Sequence, residues 1–161
     1  MNPIVLLTVE GEVTERRELT WADLAAIDTT WQLDDVGKID PKRTGGAVAL
    51  EGILQLVGIK PSAHYLTLHS KTDDFHASIP LASVRNLGYF VYHQQDRPLE
   101  EAAGGPIRFL IRDFSACHSS EVDECANVKF VDRVELSIEK GFDNRPLDDK
   151  SHEELHQRGD D

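Results

Sequence analysis

The chain reads as an α+β domain rich in β-structure, with layered, mainly antiparallel sheets and a few short helices. Three observations predict this. First, Ile107, Phe109 and Ile111 alternate with Arg108, Leu110 and Arg112, and Val134, Leu136 and Ile138 alternate with Arg133, Glu135 and Ser137. That period of two is expected of strands with one buried face. Second, helical spacing is confined to short segments with their own start and stop residues. Third, turn residues recur between the apolar runs, so many short elements fit better than a few long ones.

In chain order, Ile4 to Val9 is apolar and β-branched, and Gly11 marks a turn. A short second strand is expected within Val13 to Leu19. Thr20 reads as an N-cap with Asp23 as a capping-box partner, and Trp21, Leu24, Ala25 and Ile27 then form one helical face. Trp21 reads as a buried anchor. Residues 28–46 are polar and read as irregular, locally basic through Lys38, Lys42 and Arg43. Leu50 to Val57 is a helix ending at Gly58. Tyr65 to Ser70 and Phe75 to Ile79 form a hairpin across Thr72-Asp73-Asp74. Pro80 is expected at the first position of a short helix through Val84. Gly88 to His93 is a further strand, and Gly104-Gly105-Pro106 turns the chain into the strand at 107–111.

Residues 1–140 therefore form one domain, as suits a chain of 161 residues with 40% hydrophobic and 29% charged residues. Residues 141–161 are poor in apolar side chains and are expected to be an acidic, mostly disordered tail. The formal net charge of −12 and the lack of a basic stripe oppose nucleic-acid binding. The N-terminal apolar run is too short for a secretory signal or a membrane span. A reducing, cytoplasmic location is expected, with Cys117 and Cys125 as thiols.

The chemistry-bearing residues concentrate between Gly104 and Leu136. Cys117, His118 and Cys125 lie in a polar loop between the two alternating strands. Their spacing is not that of a structural zinc pair. Free or structural thiols, a metal or cofactor thiolate, and a disulfide all remain open. Arg108 and Lys129 sit near the strand starts. If those strands are neighbours, the two cations converge on one anionic group, arginine as a fork and lysine as a point charge. His64, His69, His76 and His93 lie on or beside strands and read as half-exposed, with His69 on the face opposite Leu66 and Leu68. No P-loop, dinucleotide-binding glycine pattern or ordered hydrolase triad occurs.

The ordered set of motifs resembles the molybdopterin-binding domain of the sulfite oxidase family. Gly104-Gly105-Pro106-Ile107-Arg108 matches that family's Gly-x-Pro-[Leu/Val]-Arg unit. Val128-Lys129-Phe130-Val131-Asp132-Arg133-Val134 matches its Val-Lys-[Trp/Phe]-[Leu/Val]-x-Arg-[Val/Ile] segment. With the text between Val48 and Arg108, the resemblance covers roughly residues 8–138. It implies a pterin cofactor contacted by Arg108 and Lys129, with main-chain groups near Asn127 helping. It also implies an oxidoreductase module whose electron acceptor is a separate protein, since no haem or dimerisation domain fits in this length.

Two departures point the other way. In that family the region of residues 28–46 supplies the molybdenum-binding cysteine, and here it holds none; Gly45-Gly46-Ala47-Val48 replaces the usual Trp-x-Gly-[Val/Thr] entry. Ala103 stands where a family histidine precedes the Gly-x-Pro-x-Arg unit. A metal ligand, if present, would be Cys117 or Cys125 from the displaced loop. The alternative is a non-catalytic member of the fold that binds a small anionic ligand or a protein.

Overall fold

The structure is a computed structural model that describes residues 4–95, 97–112 and 126–145. Its first sheet has the strand order β2-β1-β10-β5-β6: β1 is Val5–Gly11, β2 Arg17–Thr20, β5 Tyr65–Ser70, β6 Phe75–Pro80 and β10 Arg133–Ser137. β1 and β10 run parallel, and the other pairs in this sheet are antiparallel. Alternation decides the buried face. Leu7 and Val9 of β1, Leu66 and Leu68 of β5, and Val134 and Leu136 of β10 point into the core. Ile138, expected to continue that face, lies beyond the strand and is largely exposed. The second strand is shorter than expected, because Val13 makes only an isolated bridge to Ile59.

The second sheet has the order β3-β4-β7-β8, with β9 also on β7; β3 is Gln32–Leu33, β4 Gly46–Ala49, β7 Gly88–Gln94, β8 Arg97–Pro98 and β9 Arg108–Ile111. Residues 28–46 are thus less irregular than their polarity suggested. They hold β3 and two 3-10 turns whose first N–H groups are capped by Asp28 and Asp35. β9 is buried on both faces, not one. Phe109 enters the main core, with its ring 5.0 Å from that of Phe90. Leu110 faces a smaller apolar cluster of Val36, Ala47, Val91 and Leu99.

The helices close the main core between the sheets. α1, Trp21–Ala25, starts with the reciprocal Thr20–Asp23 capping box. α2, Leu50–Val57, buries Leu50, Ile53, Leu54 and Val57 and stops at Gly58. α3, Leu81–Val84, is capped by Pro80, which is the last residue of β6 and not the first of the helix. Trp21 is partly buried, packed on the core and edge-on to His93.

The first five residues of the expected tail do not behave as a tail. Gly141–Arg145 lies across β5 and β6 as a strap. Asn144 exchanges hydrogen bonds with the backbone of His76, and the Asp143 carboxylate accepts from the Ser78 N–H. Arg145 Nη2 donates to Asp143 at 2.6 Å and to the Ser78 carbonyl. These bonds satisfy the outward edge of β6, which would otherwise be an open ladder. The missing apolar side chains misled the sequence reading, because this segment is held by polar groups. Residues 146–161 lie outside the described residues.

Candidate functional site: the Gly104 corner

Arg108 and Lys129 meet, but not by the route expected. β9 and β10 belong to different sheets, and Lys129 precedes β10 by several residues. The segment before β10 instead runs beside the start of β9. Phe109 N–H donates to Val128 O, Val131 N–H to Ile107 O, and Phe130 N–H to Gly104 O. Those three bonds place Lys129 over the turn that precedes Arg108.

Gly104 is the pivot. Its φ is +97°, a conformation that glycine adopts without strain. A Cβ built there would lie 3.0 Å from Arg108 Nη1 and 3.2 Å from Lys129 Cγ. Both long side chains therefore pass over one bare backbone unit. The turn continues through a cis Gly105–Pro106 peptide. Arg108 is buried, with Nη1 3.5 Å from the Ala103 carbonyl, and Lys129 is half-buried. Two positive charges thus share a partly desolvated corner of a chain whose net charge is −12.

Asn127 takes part from behind. Its Oδ1 accepts from the Ile111 N–H at 3.0 Å, which ties the segment that carries Lys129 to the end of β9. The side-chain oxygen is thereby committed to the backbone. Cys117 and Cys125, expected as metal-ligand candidates, and His118 lie outside the described residues. Ala103 packs with Ile39 against the smaller apolar cluster that contains Val36 and Leu110.

Two features were invisible to residue patterns. One is a small cavity of about 190 Å³ lined by Trp31, Glu51, Arg85 and Tyr89 among others. Arg85 binds Glu51 through two hydrogen bonds and holds that carboxyl below its usual range against the opposing effect of burial. This internal neutralisation leaves the cavity little charge to offer a ligand. The other is a contact between His69 and His76: His76 is half-exposed as expected, but His69 is only 5% exposed. Lining up alternation gave its face correctly but not its cover.

Comparison with known proteins bears on the corner. The family model for the oxidoreductase molybdopterin-binding domain matches residues 44–142, more than half of the chain. The chain belongs to that family. Its fold agrees: the crystal structure of the sulfane dehydrogenase SoxCD from Paracoccus pantotrophus superposes with a TM-score of 0.60 over 83% of this chain, at 16% identity. This chain spans 38% of the SoxCD chain, so the likeness concerns the domain fold. A search of curated proteins finds no match.

The cofactor that the family implies can be tested against the residues present. The anionic end fits, because Arg108 and Lys129 flank a glycine cradle that a Cβ would fill. The metal end is different. Residues 28–46 supply no thiolate, and among the described residues no group of three or more His, Cys, Asp or Glu side chains gathers to hold a metal ion. Among the described residues, no helix is long and apolar enough to cross a membrane.

Proposed function

We propose that this domain binds a phosphate-bearing pterin, or an anion of the same kind, at the Gly104 corner through Arg108 and Lys129. The observation that carries this reading is the convergence of the two cations on Gly104. The side chains come from separate segments, and the backbone bonds of Val128, Phe130 and Val131 hold them together. Arg108 supplies a directed fork for phosphate oxygens, and Lys129 adds charge from the half-exposed side. Asn127 keeps the two segments in register. When bound, a molybdopterin would supply redox chemistry. This chain's described residues contribute binding and orientation.

A second reading has its own support. A thiolate-free 28–46 segment and an apolar Ala103 favour a member of the fold that retains the anion site without sulfite-oxidase-type chemistry. In the redox reading, electrons pass to a separate protein, and the metal ligand comes from Cys117 or Cys125. Protein purified from a molybdenum-competent host separates the two. Oxidative release of a fluorescent pterin together with stoichiometric molybdenum supports the redox module. Pterin or another phosphate-bearing ligand without metal supports the binding module. Failure of the wild-type protein to retain any phosphate-bearing ligand, or equal retention by the Arg108→Ala variant, contradicts the anion site itself.

A further inference from the structure

His69 and His76 are register partners across the β5–β6 hairpin, and alternation with Leu68 and Ala77 puts both on the face of the first sheet away from the core. Their rings are inclined at 66° with centroids 5.0 Å apart, so they meet by an edge and are not stacked. The two Nδ1 atoms are 2.7 Å apart. Each outer nitrogen faces a carboxylate: His69 Nε2 lies 3.0 Å from Glu135 Oε1, and His76 Nε2 lies 3.2 Å from Asp74 Oδ1.

These three contacts need three protons, and two neutral imidazoles carry two. An ionised carboxylate only accepts, so the Nε2–H of each ring is the donor to Glu135 and to Asp74. Both Nδ1 lone pairs then converge, and two lone pairs this close are held only by a cation between them. A third proton fills that role, and so does a metal ion. Metal-bound histidines have this same arrangement: the nitrogen away from the ion donates to a carboxylate, which fixes the tautomer and makes the ligating nitrogen more basic.

We propose that the Nδ1 atoms of His69 and His76 bind a divalent transition-metal ion of the zinc type between β5 and β6. Imidazole nitrogen selects zinc, nickel or copper over magnesium and calcium. Zinc–nitrogen bonds of about 2.0–2.1 Å at tetrahedral angles set the two nitrogens about 3.3 Å apart, so the rings part by roughly 0.6 Å on binding. His76 is the ring with room to move, because its side chain is 17% exposed against 6% for His69. Solvent on the His76 side completes the coordination, so this two-histidine site is weaker than a four-ligand structural zinc centre. The surrounding charges suit an added cation. Glu135 of β10 and Asp74 of the hairpin turn stand behind the two rings. Arg133 of β10 opposes them, but it is shared between Glu10 at 2.6 Å and Glu135 at 3.7 Å. Asp143 and Arg145 of the strap neutralise each other at 2.6 Å. Burial holds the His69 imidazole below its ordinary 6.5 although the Glu135 hydrogen bond pulls upward, and the charges of Arg133 and His76 act with burial. Near neutral pH its lone pair is therefore available to a metal, which binds only the deprotonated nitrogen.

The test is side-chain nitrogen NMR of the full-length chain at about pH 7.5, above the ordinary histidine range. Zinc chloride is added until it is in excess over the chain's seven histidines and two cysteines. The readout must be resolved by residue, because other histidines and thiols take up zinc without involving this pair. The Nδ1 resonances of His69 and His76 should move together and saturate, while both Nε2 atoms keep their protons. A chelator should reverse the change, and magnesium should not produce it. His76→Gln should weaken the zinc response of His69 by roughly tenfold or more. Should that variant fail to fold, the wild-type titration decides alone. Absence of a joint Nδ1 shift under excess zinc would overturn the proposal, as would a His69 response unchanged in His76→Gln. A proton between the two Nδ1 atoms that zinc does not displace would also overturn it, in favour of a proton-bridged pair.

Discussion

At the strap, Arg145 and Asp143 meet with side chains only 8% and 11% exposed, bonded to each other and to the Ser78 backbone. At the Gly104 corner, Arg108 and Lys129 carry the same sign and lean on one glycine. Both places bury charge, and charge is costly to desolvate. The strap offsets the cost with a carboxylate of its own and so serves the fold. The corner instead brings two cations against one glycine, the arrangement on which the proposed anion site rests.

The widest contrast should come from breaking the strap pair. Arg145→Ala leaves the Asp143 carboxylate buried without its main partner and should cost about 3–5 kcal/mol. In thermal unfolding that is a shift on the order of 10 °C for a chain of this size. Truncation after Phe142 removes both charges together and should cost less than the single substitution. A truncation that costs more would mean that shape, and not charge compensation, holds the strap.

Next in size is Gly104→Ala. The positive φ and the crowding against Arg108 and Lys129 should destabilise the fold by roughly 1–2 kcal/mol. The same change should weaken anion binding, because it pushes the two cations apart. An alanine variant with unchanged unfolding and binding would remove Gly104 from the site.

The pH dependence of stability sharpens the same comparison. The folded Asp143 carboxyl is depressed, so its contribution is complete above its ordinary 3.8 and is lost as pH falls through the folded value. Arg145→Ala should flatten that acid limb, whereas Lys129→Ala should leave it intact. Denaturant melts at a series of pH values measure both slopes. The smallest effect belongs to the helix cap away from both regions, where Thr20→Ala should cost about 1 kcal/mol by losing the Asp23 N–H bond.

Much of the fold was legible because its signals are local. The Thr20–Asp23 box, the Gly58 stop and the β5–β6 hairpin each depend on residues within a few positions of one another. Arg108 and Lys129 were legible as a pair through the ordered motifs, though the strand neighbourhood assumed for them was wrong. Their convergence depends on the 128–131 segment lying beside β9, a non-local pairing that alternation does not encode. The strap was missed for a related reason. Asp143, Asn144 and Arg145 read as solvated polar residues, and their hydrogen bonds to β6 leave no hydropathy period. The His69–His76 contact needed both the hairpin register and that unseen cover.

The central claim is that the Gly104 corner is a binding site while the strap is not. Equilibrium titration of a phosphate-bearing pterin against wild type, Lys129→Ala and Arg145→Ala tests it most directly, with unfolding melts on the same samples. Lys129→Ala should raise Kd by about tenfold or more, the equivalent of roughly 1.4 kcal/mol, with little change in the melt. Arg145→Ala should do the reverse, lowering the melting temperature while the folded protein keeps its affinity. Unchanged affinity in Lys129→Ala, or equal losses of affinity in both variants, would contradict the account.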